Sequence, residues 1–137
     1  MQMWLRALIV CDDVRLEVGG TVSLIGVQAD RLVVGPGDGE ILLPRLAIYT
    51  VVAGLTDVAE LSWRQWLSAD GTEPGAPAAE GRDPHDPRSD EHRIVNIMAP
   101  LALPGPGRYR LSVELETRRE RRSIDHYFTV ERLPGEA

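Results

Sequence analysis

The chain has 137 residues, 43% hydrophobic and 26% charged, which is the size of one domain with an ordinary core and excludes disorder along its whole length. The net charge of -6 is uneven: residues 69–92 hold seven acids against two Arg, and the remainder is nearly neutral. A basic face is missing, no apolar run reaches the roughly 18 residues of a membrane helix, and Met1 to Val10 lacks a signal-peptide cleavage pattern, so nucleic-acid, membrane-spanning and secreted readings are set aside.

The apolar residues recur with the period of strands. Met3 to Cys11 is apolar at nearly every position, which predicts a strand covered on both faces. Cys11 is the single cysteine, so no intrachain disulfide is possible and a reducing, cytoplasmic setting is expected. A helix has room only over Asp13 to Val18. Gly19-Gly20 then turns the chain into β-branched runs at Thr21 to Val27 and Arg31 to Val34, and Gly35-Pro36-Gly37-Asp38-Gly39 ends the second.

Leu46 to Val52 repeats the all-apolar pattern, and Val58 to Ser68 and His92 to Met98 read as further strands. Between the last two, residues 69–92 contain four Pro, three Gly and no aliphatic larger than Ala, a composition that predicts a disordered acidic loop. Removing residues 73–90 is therefore expected to leave the fold intact. Arg108 to Glu116 and Ser123 to Glu131 alternate strictly and are joined by a short charged link, which predicts a hairpin. Pro106-Gly107-Arg108-Tyr109 has the spacing of a tyrosine corner, in which the hydroxyl ties a strand to its preceding loop. Eight strands with Gly and Pro punctuation predict one all-β domain over residues 1–137, an antiparallel immunoglobulin-like or C2-like β-sandwich.

The segment Cys11-Asp12-Asp13-Val14-Arg15-Leu16-Glu17-Val18-Gly19-Gly20-Thr21-Val22-Ser23-Leu24-Ile25-Gly26-Val27 resembles the opening of an uncharacterised bacterial family, whose members run from a strand into C-D-D-x-R-x-E-x-G-G-x-x-S-L-I-G-V. Leu43-Pro44-Arg45-Leu46-Ala47 is similar to that family's next segment. The resemblance implies a bacterial cytoplasmic β-domain and carries no mechanism. The absence of lysine, with all 15 basic residues Arg, fits a GC-rich bacterial source.

Candidate chemistry is sparse. Cys11 beside Asp12 and Asp13 is a poor nucleophile, because neighbouring carboxylates and burial both raise a thiol's pKa. His85, Asp86, Asp90 and His92 carry metal-ligand atoms, but a metal site needs ligands at fixed geometry and a Pro/Gly-rich loop offers none, so no metal and no cofactor are expected. Asp12 and Asp13, with Asp30 or Asp57, mimic a calcium cup without the necessary spacing. Arg118, Arg119, Arg121 and Arg122 read as a solvated hairpin tip. On Val58 to Ser68, Leu61, Trp63 and Leu67 share the inward parity, leaving Trp66 outward beside Arg64. Trp and Arg are the residues most enriched at binding hot spots. The expected function is thus a non-enzymatic protein-binding or scaffold module, binding a protein partner or itself as a homodimer through Trp66 and Arg64. The alternative is a small ligand-binding or hydrolase-like enzyme using Asp12, Asp13 and His126, which requires those three side chains to converge on one pocket.

Overall fold

The computed structural model describes residues 2–28 and 30–135. It contains twelve strands and, among the described residues, no helix: β1 (Trp4–Cys11), β2 (Asp13–Leu16), β3 (Val22–Ile25), β4 (Arg31–Val34), β5 (Ile41–Leu43), β6 (Leu46–Ala53), β7 (Glu60–Ala69), β8 (Ala79–Pro84), β9 (His92–Met98), β10 (Leu101–Leu103), β11 (Gly107–Glu116) and β12 (Arg121–Arg132). The larger sheet has the order β4-β12-β11-β7-β8 and the smaller β1-β6-β9, with β5–β10 and β2–β3 as separate pairs. All pairings are antiparallel except β4 with β12, which is parallel.

Alternation builds the sandwich. Tyr109, Leu111, Val113 and Leu115 of β11 are buried with Phe128 and Val130 of β12, and they meet Leu46, Ile48 and Val52 of β6 in one core. The other parity of β6 (Ala47, Tyr49 and Val51) joins Cys11 and Val14 in a second cluster, against which Val22 and Leu24 of β3 also pack. The hairpin β2–β3 therefore covers the outer side of the smaller sheet, which is why every residue of β6 is buried. On β1 the register shifts between Leu5 and Ala7, and that shift lets Leu5 and Leu8 both pack on the main core.

One expectation is corrected, and the segment with room for a helix holds a strand instead. Asp13 to Val18 is no helix: Asp13–Leu16 is a strand whose pairing with β3 runs from Asp13 opposite Ile25 to Leu16 opposite Val22. Its apolar residues Val14 and Leu16 alternate with Asp13 and Arg15, which is the strand period. Residues 69–92 are likewise no structureless loop, because β8 lies within them and pairs with β7 from Glu60 opposite Pro84 to Gln65 opposite Ala79. A strand held by main-chain bonds needs no large aliphatic of its own. Arg82 pairs with Glu60 and Arg64 with Glu80 across the same seam. Gly81 sits opposite Trp63, where a Cβ would stand 2.7 Å from the indole, so glycine lets the ring lie against the edge strand.

Candidate functional site

Cross-strand register sets the composition of the larger sheet's outer face. Trp66 of β7 stands opposite Ser112 of β11, and Ser112 opposite Asp125 of β12, so the three form one row across three strands. The Ser112 hydroxyl lies 2.8 Å from Asp125 Oδ1 and donates to it. The next row brings Ser68, Arg110 and Tyr127 together. After β7 the chain folds back over this face, where the Arg110 guanidinium donates to the Thr72 carbonyl at 3.3 Å and the Thr72 hydroxyl to that of Ala69 at 2.6 Å. The result is an open groove of about 540 Å³ whose walls include Trp66, Thr72, Pro74, Arg110 and Asp125. Trp66 is half-buried along it.

The inward parity of β7 matches the alternation, with Leu61 and Gln65 fully buried, and Trp66 is on the outward face. Arg64 is elsewhere engaged: its Nε lies 3.3 Å from Glu80 and its Nη1 3.4 Å from Glu114. It is therefore not laid on the Trp66 ring. Among the described residues the cation–aromatic contact is Arg108 over Tyr127, 4.2 Å from the ring centroid. Arg110 and Asp125 are groove residues that the reading of β7 alone misses, although the alternation of β11 and β12 already put them outward.

The alternative site does not assemble. Asp12 and Asp13 line a different groove, with Arg15, Gln28 and Arg45. His126 is not among its lining residues: it sits opposite Leu111 in the β11–β12 ladder and stacks on Phe128 with ring centroids 6.4 Å apart. Asp13 is held by Arg45 at 3.1 Å and accepts from the Val14 amide at 2.9 Å, while Asp12 accepts from Gln28 at 3.5 Å. Gly26, with φ of 67°, lies where a Cβ would fall 2.1 Å from the Asp12 carboxylate. These carboxylates are joints between β1, the β2–β3 hairpin and the start of β6. Cys11 is buried at the same junction, and burial first, then the Asp12 charge, push its thiol pKa up.

The hairpin tip is also tied down rather than freely solvated. Arg119 donates to the carbonyls of Gly54 and Thr56, Arg121 pairs with Glu116, and Arg122 reaches Glu120 and Gln2.

Of the four metal-ligand candidates, two meet. The Nδ1 atoms of His85 and His92 are 3.2 Å apart, while Asp86 is bound by Arg88 and Asp90 accepts from Thr56. Among the described residues no group of three or more His, Cys, Asp or Glu is placed to hold a metal ion.

Compared with known proteins, the sequence matches no family model and no curated protein. The fold is similar to part of the crystal structure of a beta-glucosidase from Listeria innocua, with a TM-score of 0.50 and 12% identity over 95% of this chain. This chain spans only 16% of that neighbour, so the likeness concerns the β-sandwich fold and not the neighbour's activity. The chain is an all-β protein of packed, mainly antiparallel sheets, and no described helix is long and apolar enough to cross a membrane.

Proposed function

We propose that this protein is a non-enzymatic binding module that docks a protein partner, or a second copy of itself, on the outer face of its larger sheet. The observation that carries the reading is Trp66, a half-buried aromatic lining an open groove on a face whose other residues are mainly paired charges. A large ring beside hydrogen-bonding groups such as Arg110, Ser112 and Asp125 suits a protein interface, where aromatic anchors supply area and polar neighbours set register. The separation of His126 from Asp12 and Asp13 supports a binding role over the hydrolase-like one. The lone buried cysteine supports a cytoplasmic setting. The likeness of residues 11–27 to an uncharacterised bacterial family fits this reading without adding an activity.

Trp66→Ala is the test. Light scattering should show loss of a self-associated species, or pull-downs from the source lysate should lose a partner that wild type recovers, with melting temperature changed by no more than a few degrees. Unchanged mass together with unchanged recovery removes Trp66 from any interface. A collapsed melting curve shows that the ring is structural.

A further inference from the structure

At the side of the sandwich where the edge strands β8 and β9 approach each other, His85 is 94% buried and His92 lies beside it. The Nε2 of His85 lies 2.8 Å from the Ser89 carbonyl oxygen, which can only accept, so this nitrogen carries a proton and donates. The Nε2 of His92 lies 2.9 Å from Oδ2 of Asp83 and donates to that carboxylate. With both outer nitrogens donating, the two Nδ1 atoms stand 3.2 Å apart.

We propose that His85 and His92 form a binding site for a zinc-class divalent metal ion. Imidazole nitrogens about 2.0–2.1 Å from a tetrahedral zinc ion stand about 3.3 Å apart, close to the separation here. The rings are 72° from coplanar with centroids 5.3 Å apart, so they meet edge-on through nitrogen rather than by stacking. Each ring also has the support that a metal-ligating histidine requires, its second nitrogen donating to a carbonyl or carboxylate that sets tautomer and orientation.

The geometry is fixed by main chain, which the sequence reading of residues 69–92 did not allow for. His85 N–H donates to the Ala59 carbonyl at 2.9 Å, Asp57 N–H to that of Pro87 at 2.8 Å and Leu55 N–H to that of Asp90 at 3.0 Å, which pins residues 85–90 to the β6–β7 connection. His92 is the first residue of β9. A donor set of two imidazoles selects zinc, copper(II) or nickel over calcium or magnesium, which want oxygen. With no third His, Cys, Asp or Glu completing the group among the described residues, the other coordination positions fall to water or to a donor from another molecule. Such a site binds more weakly than a closed structural one.

The full chain, stripped with a chelator and dialysed, is titrated with zinc chloride by calorimetry and by thermal melting. One zinc per chain should bind saturably and raise the melting temperature as zinc is increased, and calcium chloride should do neither. His85→Gln and His92→Gln should each abolish binding, and His126→Gln should leave it unchanged. Asp83→Asn should weaken it by about 10- to 100-fold. No saturable binding to wild type, or binding that survives in both His85→Gln and His92→Gln, overturns the proposal. Should those variants fail to fold, imidazole NMR resonances of the wild type decide: zinc must move those of His85 and His92 and spare those of His126, and any other pattern overturns the site.

Discussion

Single side chains tie the strands to their loops. Tyr109 is buried at the start of β11, and its hydroxyl donates to the Gly105 carbonyl at 2.6 Å, which closes the corner that the Pro106-Gly107-Arg108-Tyr109 spacing predicts. The Gly105 amide lies 3.3 Å from the same oxygen, so one atom satisfies two main-chain groups. Tyr109→Phe should destabilise the fold by about 1–3 kcal/mol, because the ring stays in place while the half-buried Gly105 carbonyl loses its donor. Urea melts with an unchanged midpoint would show that the corner contributes nothing. Cys11 makes a second prediction. Its thiol pKa is raised in the folded state, so folding retains a proton that the unfolded chain releases from about pH 8.5 upward. The stability due to this group is therefore full below that pH and falls as pH rises through the folded-state value. Cys11→Ala should flatten the alkaline loss of stability, and the native thiol should react slowly with a disulfide reagent at pH 8. A wild-type thiol that reacts as fast as free cysteine would contradict its burial.

At the scale of elements, the eight strands expected from alternation are all present, and β2, β5, β8 and β10 are added to them. The added strands have three to six residues, and each is defined by the partner it pairs with. β8 shows the consequence. It forms the edge of the larger sheet beside β7, and the buried His85 follows it directly. Excising residues 73–90 and closing the gap with a Gly/Ser link removes that edge and uncovers Trp63, which reverses the expectation from composition. The melting temperature should fall by about 10 °C or more, since each kcal/mol corresponds to roughly 3–5 °C in a domain of this size. An unchanged melting curve would mean that β8 adds nothing to the sheet's stability. The β11–β12 hairpin is the opposite case: nine-residue alternation on each side of a short charged link was enough to place it, because both its partner and its buried face are local in sequence.

Across the whole molecule, two sheets enclose one core while the β2–β3 hairpin covers the smaller sheet from outside. That double covering explains why β6 is apolar at every position, and it leaves the outer face of the larger sheet, with Trp66 and Arg110, open to solvent. The binding role proposed for that face and the metal site proposed for the β8–β9 side use different residues, so Trp66→Ala and His92→Gln should act independently of each other. The amino-acid sequence by itself determined the all-β class, the inward parity of the long strands, the tyrosine corner and the outward position of Trp66. Each follows from a period of two or from a turn spacing, which are local properties of the chain. Tertiary structure alone decided that Arg64 turns to Glu80 and Glu114, that His126 lies away from the Asp12–Asp13 groove, and that His85 meets His92. Those outcomes depend on which strand lies beside which, and on main-chain bonds that hold an edge strand and the turn after it in place whatever side chains they carry.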